Sequence, residues 1–314
     1  MIGCTTDGEC SSALAFQEDS VVVVLFAGDG ITAKASVARG LAADLDGAVA
    51  RAVDALGAPG PLTVALSESM GVSGAVLVDA LDRHLQNTLV VGGTAGDQWR
   101  FEGTHQLFGR EVLTDSVVLL TFHGDFAVSV GVESGWCPMG RRAKVTRAEG
   151  AQLLELDGQP ALEVFRATFG SHIAPTPEHP FAVFDGSDRF YLRAPFPHLF
   201  ENGAIQLAGD IPEGAEVQLT EAGRDQILDG ARSAVRSARA SFPGEQPTGL
   251  LVFSCAARKQ VLGSRTAEEL DALQADGLDV DVAGFYTYGE IGPLVTGGAT
   301  RFHNETVVAV LVGR

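Results

Sequence analysis

Two groups of residues carry the types and spacing that could do chemistry. The first is a pattern met three times, Thr-x-Gly-acid, at Thr6-Asp7-Gly8-Glu9, Thr94-Ala95-Gly96-Asp97 and Thr287-Tyr288-Gly289-Glu290. Each copy sets a hydroxyl that donates or accepts beside a carboxylate, on a turn loosened by glycine. Such a set suits a small polar ligand carrying an amine, an amino acid for example. The same residue types also build turns and helix caps with no ligand. The second group lies in the C-terminal third, in Phe253-Ser254-Cys255-Ala256-Ala257-Arg258, in Gly284 to Pro293 and in Phe302-His303-Asn304-Glu305-Thr306. A ligand pocket is expected from Cys255, Arg258, Tyr286, Thr287, Tyr288, Glu290, His303 and Asn304, joined by Thr94 and Asp97 from the middle copy. Arg258 would grip a carboxylate through its planar fork, and Glu290 would face an amine. Tyrosines are equally ordinary wall and core residues.

Cys255 ends an apolar run where a helix could begin, a place that can lower a thiol pKa, so a cysteine-dependent enzyme is one alternative. A buried free cysteine more often packs as a small hydrophobe. No H-E-x-x-H, P-loop or G-x-S-x-G occurs, and Gly92-Gly93-Thr94-Ala95-Gly96 only distantly echoes a dinucleotide loop. Hence no catalytic residue is assigned. Cys4, Cys10, Cys137 and Cys255 form no C-x-x-C pair, and none of the seven histidines sits four residues from another. No metal site is expected; His303 is the histidine to test as a haem ligand. His172 and His179 read as solvated, and Trp136 as a packing anchor.

Loops so placed need strands to carry them. Val21–Phe26, Leu62–Ser67, Leu89–Val91, Val117–Phe122, Leu250–Ser254, Val280–Gly284 and Val307–Val312 are short, apolar and rich in β-branched residues, as strands buried on both faces are. Helices are predicted over 43–56, 73–85, 160–169, 222–241 and 266–274, the fourth being the longest. The second and third Thr-x-Gly-acid copies are each preceded by strand, helix and strand and followed by another strand. The chain is therefore read as α/β (mixed α+β possible), with an internally repeated β-α-β-loop-β unit in which the first copy lacks its opening strand and helix. A missing strand leaves a sheet edge to be paired or covered. Prolines at 175, 177 and 180 suggest a linker over 171–182 between domains at 1–170 and 183–314. A loop is predicted over Ala194–His198.

Composition narrows the function classes. Of 314 residues, 22 are Lys or Arg and 40 Asp or Glu, for a net charge of −18. That surface repels phosphate backbones and anionic lipid, so neither nucleic acid nor membrane is an expected partner. No apolar run approaches bilayer length and no secretory signal is visible, which suits a cytoplasmic protein. The 38 glycines, well above average usage, sit where apolar runs end in turns.

The segments IGCTTDGE (2–9), VVGGTAGD (90–97), GWCPMG (135–140), VTRAEGAQLLELDGQPAL (145–162), PEGAEVQL (212–219), VFSCAARKQVLG (252–263), AGFYTYGEIGP (283–293) and FHNETV (302–307) together resemble the FIST family, a two-part sensory module of FIST N and FIST C domains. The resemblance implies an intracellular signal-input protein that binds a small ligand, with amino acids suggested. Some relatives are similar yet bind haem and answer nitric oxide through a partner histidine kinase. It also implies a further strand and helix before IGCTT, so the N-terminal domain is expected to be shortened. The output is expected to be a separate protein, such as a histidine kinase or cyclase.

Overall fold

The structure, a computed structural model, describes residues 1–314 except 185, 187, 197–199 and 201. The end of the loop expected over Ala194–His198, with its histidine, lies outside the described residues. The chain opens with β1 (Ile2–Cys4), the hairpin β2 (Glu9–Ser11) and β3 (Ala15–Gln17), and β4 (Thr32–Arg39). Next come α1 (Leu41–Leu56), β5 (Leu62–Ser67), α2 (Gly74–His84), β6 (Leu89–Thr94), the hairpin β7 (Gln106–Phe108) and β8 (Glu111–Leu113), β9 (Ser116–His123) and β10 (Ala127–Glu133). The middle of the chain holds β11 (Cys137–Glu149), β12 (Gln152–Leu156), β13 (Gln159–Pro160), α3 (Ala161–Phe169), β14 (Phe181–Phe184), β15 (Phe190–Arg193), β16 (Ile205–Gln206) and β17 (Glu216–Glu221). It closes with α4 (Arg224–Ala240), β18 (Pro247–Cys255), α5 (Ala256–Leu262), α6 (Glu268–Leu273), β19 (Asp281–Thr287), β20 (Gly289–Pro293), β21 (Thr300–His303) and β22 (Val307–Gly313). The fold is mixed α/β, as expected.

Two six-stranded sheets have the same internal order. One runs β21-β20-β6-β5-β9-β4, the other β3-β2-β19-β18-β22-β10. In each, one parallel pair (β5 with β6, β18 with β19) is flanked by an antiparallel strand (β9, β22). Their inner faces meet in one core, with Leu62, Val64, Val91 and Val118 against Val130, Phe253, Val308 and Val310. Ile2 and Phe108, from the small sheet β1-β7-β8, pack on the same core. The outer face of the first sheet is covered by α1 and α2, and that of the second by α4, α5 and α6. Strands buried on both faces cannot alternate apolar with polar, which is why β5 and β22 read as nearly unbroken apolar runs. Residues 137–221 form a separate seven-stranded sheet with α3 against it and its own core around Val145, Phe165 and Val183.

The β-α-β-loop-β repeat is present, with an exchange. The hairpin β20–β21 follows β19 in the chain but pairs with β6 of the other sheet. The hairpin β2–β3 follows β1 and pairs with β19. The hairpin β7–β8 follows β6 and pairs with β1. Each copy therefore lends its hairpin to another, in a closed cycle of three. Strands from both sides of 171–182 share sheets, and residues 171–180 are irregular before β14 begins at Phe181.

One expected strand does not form. Val21–Phe26 is irregular and exposed, and the strand in this part of the chain is β4 instead. A strand needs a partner for its backbone N–H and C=O groups, whatever its side chains prefer. None of the helices is long and apolar enough to cross a membrane, among the described residues.

Candidate functional site

The three Thr-x-Gly-acid loops meet at one point. Asp7 N donates to Tyr286 O at 2.9 Å, Tyr288 N to Thr94 O at 3.2 Å, and Gly96 N to Thr5 O at 3.1 Å. Backbone bonds thus link the first copy to the third, the third to the second and the second to the first, mirroring the hairpin exchange. In two copies the threonine hydroxyl is spent within the motif: Thr6 Oγ1 donates to Glu9, and Thr287 Oγ1 to Glu290 Oε1 at 2.8 Å. In the middle copy Thr94 Oγ1 donates to Gly289 O at 3.4 Å. Asp97 is thereby free of its threonine and serves the loop that follows.

That loop forms the half-open part of the junction. The Asp97 carboxylate accepts from the backbone N–H groups of Phe101 at 3.0 Å, Glu102 at 2.8 Å and Gly103 at 3.3 Å, and from Tyr288 Oη at 2.6 Å. Burial alone would raise its pKa, but these donors, Tyr288 foremost, hold it below the ordinary carboxylate value. Tyr288 Oη in turn accepts from Trp99 N at 2.6 Å. Burial and the Asp97 carboxylate push the Tyr288 phenol up, so it stays a donor at neutral pH.

Gln98, Trp99 and Phe101 all have left-handed backbone, with φ of 59°, 60° and 52°. For bulky side chains this costs about 1–3 kcal/mol each, and such strain persists only where the surroundings hold it. Here the Asp97 carboxylate and the Tyr288 hydroxyl do so. The result is an aromatic group: Phe101 stacks on Tyr288 at 5.2 Å, Trp99 lies 5.6 Å from Phe101, and Phe196 from the β11–β17 unit lies 5.9 Å from Phe101. Phe101 is 41% exposed.

Beside these rings sits Asp7, wholly buried. Lys259 Nζ is 2.8 Å from Asp7 Oδ2 and 2.9 Å from Glu18 Oε1. Neither Asp7 oxygen accepts a hydrogen bond of good geometry among the described residues. Burial raises the Asp7 pKa, against the lowering effect of Lys259 and the Trp99 indole.

The rest of the expected pocket residues are packed behind the junction. Arg258 is fully buried, and the carboxylate it holds belongs to the chain: Nη2 is 2.6 Å and Nε 2.9 Å from Glu269 Oε1. Its remaining donors go to Ser134 O and Ile227 O. The second Glu269 oxygen accepts from Tyr286 Oη at 2.7 Å and Ser254 Oγ at 2.9 Å. Glu290 accepts from Thr287, from Thr306 Oγ1 at 2.7 Å and from Thr306 N at 3.2 Å, and burial pushes its pKa up to about 8. Next to it Glu305 is buried with neither oxygen bonded among the described residues, and burial raises its pKa well above the ordinary value.

Cys255 is buried, and its thiol is pushed well up, first by burial and then by Glu290 and Glu305. A nucleophilic thiol needs the reverse, an electropositive and accessible setting. His303 is buried with Nε2 2.8 Å from Gly292 O, and burial pushes its pKa down to about 4. Its ring is neutral at pH 7, and a nitrogen committed to a backbone carbonyl inside the core does not fit an axial haem ligand. Asn304 bridges His303 O at 3.1 Å and Ala194 N at 3.5 Å. No group of three or more His, Cys, Asp or Glu is placed to hold a metal ion, among the described residues.

The structure thus brings Asp97 and Tyr288 to the half-open part of the junction, with Thr94 buried beside them. It places Cys255, Arg258, Tyr286, Thr287, Glu290, His303 and Asn304 in the buried layer beneath. Sequence reasoning missed Trp99, Phe101 and Lys259. The two aromatics were signalled by their place directly after the middle motif, in Asp97-Gln98-Trp99-Arg100-Phe101. Lys259, from α5, had no signal, because its partner Asp7 is more than 250 residues away.

Known proteins resemble this chain over 28% to 75% of its length. An uncharacterized protein of Mycobacterium tuberculosis is 30% identical over 255 residues, covering 75% of this chain and 64% of its own length. An uncharacterized protein of Mycobacterium bovis is 27% identical over 252 residues, covering 75% of this chain and 63% of its own. An uncharacterized protein of Methanocaldococcus jannaschii is 34% identical over 87 residues, 28% of this chain and 17% of its own. The chain spans less than two thirds of the length of these relatives. The FIST N domain profile matches residues 1–159 and the FIST C domain profile residues 161–293, so the chain belongs to the FIST family of sensory domains.

Proposed function

We propose that this protein is a sensor for a small molecule carrying an amine, an amino acid being the class that fits best, and that it binds at the junction of the three loops. FIST domains are sensory domains thought to bind small ligands in signal transduction. The observation that carries the reading is the aromatic group Trp99, Phe101 and Tyr288 standing beside two carboxylates, Asp97 and Asp7. Aromatic faces and carboxylates both attract a cationic amine, the former by about 0.5–2 kcal/mol. The net charge of −18 favours approach of cations over anions. Signal output passes in this reading to a separate protein such as a histidine kinase or cyclase.

A thermal-shift panel of amino acids and simple amines tests this. A true ligand at about a hundred times its Kd stabilises the folded state by about 2.7 kcal/mol, a shift of several degrees. Asp97→Asn is expected to abolish the shift. A panel in which no amine moves the transition would overturn the reading.

A further inference from the structure

The junction sets a carboxylate against an aromatic group, and that carboxylate has no lone pair left to offer. An ionised carboxyl group has about four acceptor positions. Asp97 Oδ1 accepts from Phe101 N at 3.0 Å and from Tyr288 Oη at 2.6 Å. Its Oδ2 accepts from Glu102 N at 2.8 Å and Gly103 N at 3.3 Å. The neighbouring acceptors are engaged too. Tyr288 Oη takes the bond from Trp99 N, and Gln98 Oε1 takes one from Arg100 Nη2 at 2.6 Å. Asp7 is wholly buried and faces Lys259 Nζ at 2.8 Å. Glu102 and Arg100 are exposed, where water and salt screen their charges. The negative charge of Asp97 therefore acts on whatever meets the rings, while its lone pairs do not.

The rings present faces at several angles. Phe101 stacks on Tyr288 with 30° between their planes, while Trp99 stands at 86° and Phe196 at 73° to Phe101. Phe101 is the exposed member, so a ligand reaches the group from its side. Any cation over a ring face is attracted by the ring quadrupole. What separates one cation from another here is its N–H groups. A primary ammonium brings three donors that must give up water, and a donor that finds no acceptor is penalised. A quaternary ammonium brings no donor, and its charge is spread over methyl groups whose burial is favourable. We infer that the junction selects a free, small quaternary ammonium compound, an N-trimethylated amino acid of the betaine type, over the corresponding primary amine. This rests on the proposed function and narrows it: the ligand remains a small cation held where the three loops meet, and the saturated Asp97 carboxylate sets which cation.

A matched series tests this: glycine, N-methylglycine, N,N-dimethylglycine and trimethylglycine, each titrated into the full chain by calorimetry. The Kd is expected to fall along the series, with trimethylglycine about tenfold or more tighter than glycine. The tert-butylacetate ion, in which carbon replaces the quaternary nitrogen, keeps the shape without the positive charge and is expected to bind about tenfold or more weakly than trimethylglycine. Phe101→Leu removes the exposed ring and should weaken trimethylglycine more than glycine. Tyr288→Phe frees a lone pair on Asp97, so the ratio between the two ligands should narrow; a residue that only held the loop would weaken both alike. Glycine binding as tightly as trimethylglycine overturns the inference and leaves the amine reading standing. Equal binding of the uncharged isostere, or a ratio that Tyr288→Phe does not move, overturns it as well. So does a series without heat while other amines bind; a protein that takes up no amine at all removes the inference and the amine reading together.

Discussion

Asp97 and Glu290 hold the same position in the repeat and have opposite electrostatic fates. Asp97 faces four donors and stays ionised, while Glu290 is sealed behind the junction with its pKa pushed up to about 8. The folded state therefore holds a proton on Glu290 that the unfolded chain releases near its ordinary value of 4.5. This contribution is fully present below pH 4.5 and is lost as pH rises towards 8. His303, pushed down to about 4, acts the other way below its ordinary 6.5, where the unfolded chain takes up a proton and the folded state does not. Between pH 6.5 and 8 the Glu290 effect stands clear of it, so stability is expected to fall with rising pH, and Glu290→Gln should flatten that fall in urea melts. Tyr288→Phe removes a donor to Asp97 and an acceptor for Trp99 N. It is expected to cost about 1–3 kcal/mol by chemical denaturation and to weaken amine binding. Breaking Arg258 from Glu269 is costlier: Glu269→Leu strands a buried charge and should cost about 3–5 kcal/mol, with Arg258→Met recovering much of it. The sequence displayed Arg258, Tyr286 and Glu290 as chemistry-bearing residues. It did not display that Glu269, on a helix between them, satisfies Arg258 and Tyr286 from inside.

At the scale of elements, the glycines after β5–α2 serve close approach rather than a dinucleotide. A Cβ on Gly93 would stand 2.5 Å from Thr287 Cγ2, and one on Gly96 2.9 Å from Asp7 N. The three loops can touch only because these positions are bare. Gly96→Ala pushes against backbone, which cannot rotate away, and is expected to cost about 1–3 kcal/mol and to loosen the Trp99–Phe101 loop; differential scanning calorimetry and Trp fluorescence would read the two effects. The helices and buried strands were legible from apolar runs and periodicity: α2, α4, β5, β9 and β22 fall where they were expected. The hairpins and the 137–221 sheet were not: the hairpin strands run to three to five residues, too few to carry a pattern, and the long β11 is mostly exposed and rich in Arg and Lys, so it has no apolar run to read. Val21–Phe26 shows the limit from the other side, because its side chains favour a strand and no strand pairs with it among the described residues.

At the scale of the molecule, the two main sheets are each built from strands at both ends of the chain. A division at 171–182 remains our proposal for the sequence-level units, and the strand order implies that such units fold together. Separately expressed 1–170 and 183–314 should show no cooperative transition alone and regain one when mixed. Sequence showed the repeat but not the cyclic exchange of hairpins, which no local pattern encodes. That exchange is what brings the three loops, and hence the aromatic and acidic residues, to one place. The most direct test is a calorimetric titration of amino acids into the protein, with Trp fluorescence followed in parallel. Trp136 is buried in a separate core, so Trp99 is the responsive reporter. The account predicts saturable binding with one site per chain, a Trp99 signal that vanishes in Trp99→Phe, and loss of heat in Asp97→Asn. Binding that leaves Trp99 silent and is untouched by Asp97→Asn would place the ligand elsewhere and contradict it.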